Sequence, residues 1–439
     1  MSHCSHSPVI SKSQQLSENR FFNNLDPRNR DCILERADSL HLSHQDLMQV
    51  VEFTTDFEMW DAGLLDALWD ISGVEHLSPK QRKQMVMRRL RDRWQQLKSD
   101  LPHYNPDARP LKTKGPITFS KKDSDDKILG LCPVFSDKTR CCNLQTLDAV
   151  MNCGFECTYC SIQSFYHGEE IIFQGNFREK LERIELDPNR CYHIGTGQSS
   201  DSLLWGNKNN VLQDLFSWAE RHPNVILELK TKSANTHYLL DNPVPSNVIC
   251  TWSMNADTIV RNEELRTAPL QARISAARKI ADRGILVGFH LHPIVAFQGW
   301  EVEYPALVRQ LTDTFQSSEV ALVSMGTLTF IKPVMKQLRE RKQKSKILQM
   351  PFEDAAGKTS YPIELKQQFF KRVYDAFSPW HNEVFFYLCM EDPSLWPAVF
   401  GFDYANNAAF ESAMKSHYLQ KVNAVREHRG ETAVVPALL

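Results

Sequence analysis

The sequence predicts an α/β protein: a partial (β/α)6 barrel of the TIM type, with an N-terminal all-helical extension and a small C-terminal α/β tail. Three observations carry that reading. Six apolar runs of strand length recur between residues 147 and 325. Helical stretches separate them, and such alternation gives a parallel sheet with right-handed crossovers. Residues 21–100, by contrast, show only helical periodicity.

The chain has 439 residues, enough for one large α/β domain plus a further module. Its 42% hydrophobic and 24% charged content is ordinary for a globular protein. It lacks a run of about 18 apolar residues. Met1-Ser-His-Cys4 lacks the charged-then-apolar layout of a signal peptide. The expected location is therefore cytoplasmic, with no membrane partner. Eleven cysteines, an odd number with a tight cluster, point to reduced thiols and a metal rather than disulfides. A net charge of −2 gives no global attraction to nucleic acid, so such binding requires a local basic surface.

Residues 1–20 are polar and expected to be disordered. The helical domain spans 21–100. Asp26-Pro27 supplies an N-cap with proline at the first helical position, and Ser43 with Asp46 opens a second helix. Glu58–Ile71 carries Leu64, Leu65, Leu68 and Trp69 at helical spacing. Ser78-Pro79-Lys80-Gln81 is a capping box ahead of a helix over 79–98. Val86, Met87, Leu90, Trp94 and Leu97 form its apolar stripe, and Arg88, Arg89, Arg91 and Arg93 are among its many basic residues. That surface is either a solvated face or a nucleic-acid contact. Residues 101–143, rich in proline and charge, read as a linker or wrapping segment.

The barrel is expected over 144–345. Its strands are Leu147–Met151, Tyr192–Thr196, Val225–Lys230, Val248–Met254, Ile285–His292 and Val320–Met325. Helices are expected at Asn176–Leu186, Val211–Arg221, Pro269–Arg283 and Tyr304–Thr314. Six units close only part of a barrel and leave a lateral opening, with functional residues at the C-terminal strand ends. The remainder, 346–439, reads as an α/β extension with a helix at Leu365–Phe377 and a strand at Glu383–Cys389.

Cys153-Gly-Phe-Glu-Cys157-Thr-Tyr-Cys160 follows the first barrel strand. Three thiolates in CxxxCxxC spacing can ligate three irons of a [4Fe–4S] cube and leave the fourth iron open for chemistry. Zinc is the alternative, but a structural zinc site needs a fourth ligand, for which His167 is the nearby candidate. His290 and His292 share one face of their strand and, if inward, line the cavity. Trp252 and Trp300 can stack on a base or simply pack. Cys250 has opposite parity to Ser253 and faces away from a site at that strand end. Cys191 lies at the start of its strand.

The CxxxCxxC motif after the first strand resembles the radical S-adenosylmethionine superfamily, and Tyr159 before the last cysteine also fits it. Gln198-Ser-Ser-Asp201, Thr231-Lys232, Trp252-Ser-Met-Asn255, Gly288-Phe-His-Leu-His-Pro-Ile294 and Gln298-Gly-Trp-Glu301 are similar to segments of spore photoproduct lyase and its relatives. The resemblance implies a [4Fe–4S] cluster on Cys153, Cys157 and Cys160, and S-adenosyl-L-methionine as cofactor. It implies that Lys232, Ser253 and Ser200 hold the cofactor's carboxylate, as a cation and two hydroxyls suit. Gly195, Gly197 and Gln198 would lie where the superfamily places acceptors for its ammonium group. A 5′-deoxyadenosyl radical would then abstract hydrogen from a substrate such as a DNA lesion. An electron donor such as flavodoxin or ferredoxin is implied as partner.

Two departures bear on that reading. Gln198 stands where the spore enzymes carry a hydrogen-donating cysteine, and Ser161 stands where they carry a relay tyrosine, leaving Tyr159 as the retained catalytic candidate. Cys141, Cys142 and Cys389 are the other thiols available as donor. A small-molecule or protein substrate is the second reading, and a non-catalytic iron–sulfur sensor the third.

Overall fold

The computed structural model describes residues 12–105, 117–132, 138–162, 170–341, 343–355 and 357–436. They fall into two compact units, Met1–His103 with Ile331–Pro351, and Tyr104–Phe330 with Phe352–Leu439. The expected proline-rich turns at Pro106, Pro110 and Pro116, the first half of the expected disordered tail, and His167 lie outside the described residues. No helix among the described residues is long and apolar enough to cross a membrane.

The first unit is helical, and its caps are those written in the sequence. The Arg28 amide donates to Asp26 Oδ1 at 2.9 Å, starting Pro27–Ser39. The Ser43 amide donates to Asp46 Oδ2 at 2.9 Å, starting His44–Met59. Ser78 donates through its hydroxyl to Gln81 Oε1 at 2.6 Å, starting Pro79–Ser99. The helix expected at Glu58–Ile71 does not form as one piece. The chain leaves the helical region at Asp61 (φ 56°) and Gly63 (φ 112°), and only Leu65–Leu68 resumes. Segment Ile331–Pro351, which the sequence assigns to the barrel and the tail, packs within this unit. Its helix Lys332–Glu340 brings Arg339 to Asp56 through Nε and Nη2 at 2.7 and 3.1 Å, and Trp94 Nε1 donates to the same carboxylate at 2.9 Å.

The second unit is built on one eight-stranded sheet, here β1 (Leu129–Leu131), β2 (Gln145–Leu147), β3 (Tyr192–Thr196), β4 (Val225–Thr231), β5 (Val248–Ser253), β6 (Val287–Ile294), β7 (Val320–Thr327) and β8 (Phe385–Leu388). The order is β8-β7-β6-β5-β4-β3-β2-β1, parallel from β2 to β8, with β1 antiparallel at the edge. Its central strands are buried on both faces, which is why they read as near-continuous apolar runs. The partial barrel is thus present, with two refinements. The expected first strand splits: Gln145–Leu147 stays in the barrel sheet, while Val150–Met151 turns away to pair with Glu170–Gln174. The strand expected in the tail joins the barrel beside β7.

Asp56 has no exposed surface. Removing it strands the Arg339 charge, and breaking such a buried pair costs about 3 kcal/mol. Asp56→Ala is expected to lower the chemical unfolding midpoint of the helical unit accordingly; an unchanged midpoint contradicts this account.

Candidate active site

The cysteine loop is shaped by its own residues and held by a segment about a hundred positions away. Asn152 adopts φ 69°, its side-chain oxygen accepts the Cys153 amide at 2.8 Å, and its Nδ2 donates to the Glu170 carbonyl at 3.2 Å. Gly154 admits no side chain, because a Cβ there would lie 2.5 Å from the Trp205 ring. Glu156–Cys157 then pairs antiparallel with Glu264–Leu265, Cys157 opposite Glu264. The Thr158 amide donates to the Glu263 carbonyl at 2.8 Å, and Arg266 lies 3.3 Å from Glu156 Oε1. Nothing in the sequence signals that clamp, since both halves are short and polar.

The loop closes one side of a cavity of about 250 Å³ at the C-terminal strand ends. Cys153, Cys157 and Cys160 line it, together with Tyr159, Gly197, Gln198, Ser200, Lys232 and Ser253. The structure therefore gathers every residue expected to hold the cluster or the cofactor except Gly195. Gly195 lies inside β3, and the direction of its absent side chain runs into Leu144 at 3.2 Å. Gly197 needs to be glycine on two counts: φ is +87°, and a Cβ would sit 2.5 Å from the Lys230 carbonyl oxygen.

Lys232 is placed from both ends. Its amide donates to Asp201 Oδ2 at 2.7 Å, and its ammonium donates to Ser253 Oγ at 2.7 Å. Asp201 also accepts the Leu203 and Leu204 amides and the Thr231 hydroxyl, at 3.0, 2.8 and 2.7 Å. Burial still pushes its carboxyl upward against those donors. The Lys232 ammonium stands 5.6 Å over the Tyr159 ring and 3.8 Å from Glu264 Oε1. Tyr159 donates its hydroxyl to Glu264, whose other oxygen pairs with Arg273 at 2.6 Å. Burial would neutralise Glu264, but Arg273 and then Lys232 outweigh it and hold the carboxyl at about 2.

Among the described residues no three His, Cys, Asp or Glu side chains converge closely enough to hold a single metal ion. A cube would take one thiolate on each of three irons. Burial raises the Cys153 and Cys157 thiols, so it is metal charge that would draw off their protons.

His292 lines the cavity, its ring against Gly326. His290 points inward too but sits below, among other polar groups. Its Nε2 lies 2.6 Å from Glu228 Oε1 and its Nδ1 meets Ser324 at 2.5 Å. His193 Nε2 reaches Glu228 Oε2 at 2.8 Å, and Thr251 donates to Oε1 at 2.7 Å. Burial opposes the Glu228 charge, yet these donors hold it well below the carboxylate range. Burial takes His290 down to about 4 and His292 to about 3. Trp252 is buried with Nε1 donated to the Ser233 carbonyl at 3.0 Å, and Trp300 packs edge-on against Phe369. Neither is available to stack on a base. Cys250 and Cys191 are buried, as expected of thiols away from the cavity.

A partial parallel barrel with a CxxxCxxC loop beyond its first strand is the arrangement that the resemblance to the radical S-adenosylmethionine superfamily implies. The chain is similar to spore photoproduct lyase: residues 152–362, just under half of it, match the family described as spore photoproduct lyase. It is 38% identical over 85 residues to spore photoproduct lyase of Bacillus subtilis (strain 168), covering 19% of this chain and 25% of that one. The match to the Clostridium acetobutylicum enzyme of the same name is 29% over 181 residues, 40% of this chain and 53% of that one. The chain thus spans about half or less of the length of these curated relatives. Its fold matches a solved spore photoproduct lyase complexed with dinucleoside spore photoproduct at a TM-score of 0.54 and 17% identity, covering 62% of this chain and 82% of that one.

An unfolded chain protonates histidine near pH 6.5, whereas folded His290 and His292 resist until about 4 and 3. Folding stability is therefore expected to fall as pH drops from about 6.5 towards 4, because the unfolded state binds more protons there. His292→Gln should flatten the change in unfolding midpoint between pH 7.5 and 5. An equally steep change in that variant contradicts the assignment.

Proposed function

We propose that the chain is a radical S-adenosylmethionine enzyme of the spore photoproduct lyase type, with Cys153, Cys157 and Cys160 as ligands of a [4Fe–4S] cluster. The observation that carries the proposal is that these thiols and the Lys232–Ser253 pair line one cavity. When bound, the cluster and S-adenosylmethionine supply one-electron cleavage of the sulfonium C–S bond and a 5′-deoxyadenosyl radical.

The chain's own residues do the positioning. The Lys232 ammonium and Ser253 hydroxyl, already joined at 2.7 Å, form a cationic cradle for a carboxylate. Ser200 adds a hydroxyl, held by Trp205 Nε1 at 3.4 Å. Gly197 and Gln198 border the same space and offer backbone and amide acceptors to an ammonium group. Glu264 Oε1, 3.8 Å from the ammonium, aims Lys232. Tyr159 packs beneath that ammonium and is the retained aromatic for hydrogen transfer. Gln198 provides no thiol, so the step that returns hydrogen to product differs from that of an enzyme with cysteine there.

The substrate class we favour is a nucleic-acid lesion, with helix 79–98 as a guiding surface. Its Arg88–Asp92 and Arg89–Asp70 pairs, at 3.7 and 3.1 Å, are partly exposed, and such pairs hold weakly enough to exchange for phosphate. The net charge of −2 favours the second reading, a small molecule or protein as substrate. A reducing cytoplasm with flavodoxin or ferredoxin as electron donor suits both.

After anaerobic reconstitution and reduction, the protein is expected to convert S-adenosylmethionine to 5′-deoxyadenosine. Absence of that product overturns the enzyme reading and leaves a non-catalytic iron–sulfur protein. Lys232→Ala removes a charged hydrogen bond and should weaken cofactor binding roughly tenfold to hundredfold in a titration; unchanged affinity moves the carboxylate site elsewhere. Deuterium transfer from a labelled dinucleotide lesion into 5′-deoxyadenosine separates nucleic acid from other substrates.

Arg88→Glu with Arg93→Glu should weaken duplex DNA binding and make its salt dependence shallower. Equal affinity at every salt concentration removes the helix as a contact.

A further inference from the structure

One cation in the barrel interior has no partner. Glu228 on β4 and His290 on β6 both point inward, where their side chains meet at 2.6 Å. Side chains alternate along a strand, so residues two positions further on face the same way. Those residues are Lys230 and His292, one step nearer the strand ends, and both line the cavity. Gly326 leaves the His292 ring its room, since a Cβ there would lie 3.0 Å from it.

Lys230 is half-buried, and among the described residues it makes no hydrogen bond and no ion pair. The carboxylates around the cavity are engaged elsewhere. Glu228 is held by His193, Thr251 and His290. Glu391 pairs with Lys366 at 2.7 Å and accepts the Thr327 hydroxyl at 2.7 Å. Glu264 pairs with Arg273, and Asp201 already accepts four donors. The other lysine of the cavity, Lys232, has both Ser253 and Glu264. His292 is likewise without a hydrogen-bond partner among the described residues. Burial first, and then the Lys230 ammonium, takes its ring down to about 3. Near neutral pH that imidazole therefore carries no charge and offers one N–H.

An ammonium withdrawn from water is costly unless an anion meets it. We propose that Lys230 is a substrate-binding residue, which with the His292 N–H seats a phosphate group of the substrate on the β4–β6 wall of the cavity. The inference rests on the enzyme reading above, in which Lys232 and Ser253 are already given to the cofactor's carboxylate. Lysine serves phosphate as a point charge, and the several oxygens of a phosphate can face a charge on one strand and an N–H on another. A diester joining two nucleotides and the monoester of a smaller molecule share that chemistry.

The test is calorimetric titration of the reconstituted full chain, saturated with S-adenosylmethionine, using inorganic phosphate, dimethyl phosphate and acetate as probes. A phosphate probe is expected to bind, and Lys230→Met should weaken it by about tenfold or more while S-adenosylmethionine affinity is unchanged. Lys230→Arg keeps the charge and should keep most of the binding. Preference for dimethyl phosphate supports a nucleic-acid substrate, and preference for inorganic phosphate a phosphorylated small molecule; either supports the seat. Acetate binding as tightly as both phosphates overturns the phosphate assignment. The seat is overturned if no probe binds the wild type, a result read without any variant. It is also overturned if Lys230→Met binds phosphate as well as the wild type does, which would mark an adventitious ion only. Loss of S-adenosylmethionine affinity in Lys230→Met to the extent seen in Lys232→Ala overturns it too, by giving Lys230 to the cofactor. Formation of 5′-deoxyadenosine by the same preparation reports on the enzyme reading by itself, so a chain that forms it yet binds no phosphate has lost only this seat.

Discussion

Glu264 carries a full charge at a position only 2% exposed, and the arrangement of the cavity follows from how that charge is kept. An isolated carboxylate at such a place would take up a proton. Arg273 prevents it from one side, and Arg273 is in turn fixed by the Ser253 and Ala268 carbonyls at 2.9 and 2.8 Å. On the other side the same carboxylate faces Lys232 and accepts the Tyr159 hydroxyl. Its backbone meanwhile forms the strand pair with Cys157. One residue therefore sets the position of the cysteine loop, the orientation of its tyrosine and the charge on the opposite wall. A neutral side chain there would leave the buried Arg273 and the half-buried Lys232 without their shared carboxylate.

Beneath the cavity the barrel interior departs from the branched aliphatic packing usual in such folds. Glu228 is the hub of a polar layer: His193, Thr251 and His290 all bond to its carboxylate, and His290 also meets Ser324. Such a hub is rigid, because moving Glu228 leaves three groups without that partner in low dielectric. The strands β3 to β7 are thereby locked in mutual register just below the residues that line the cavity. The layer also fixes which nitrogen of His290 bears the proton, since an ionised Glu228 accepts from Nε2 and leaves Nδ1 to the Ser324 hydroxyl.

Much of this was legible in the chain. Strand–helix alternation has a strong period, and the cysteine spacing, Lys232 and Ser253 sit at strand ends where the geometry of a parallel barrel exposes them. Parity arguments placed Cys250 away from the cavity and both histidines on one face of their strand. They could not tell which histidine reaches the cavity, because depth along a strand depends on register with its neighbours. Gly195 was expected among the acceptors for the cofactor's ammonium group, yet the strand continues through it and only Gly197 leaves the sheet. The clamp of Glu263, Glu264 and Arg266 was invisible: its residues are ordinary polar ones whose partners in the cysteine loop lie roughly a hundred positions away.

The helical unit is not continuous in the chain, since residues 331–351 complete it after more than two hundred residues of barrel. During synthesis the first hundred residues emerge without the arginine that neutralises Asp56, and must wait for nearly the whole barrel to be translated. Closing so long a loop is entropically slow compared with local helix pairing. The nascent N-terminal region therefore spends most of translation as an unfinished bundle whose Asp56 carboxylate has Trp94 but lacks Arg339. Maturation of the two units is coupled in time by the order of the gene, and the last contact of the first unit forms only after most strands of the second exist.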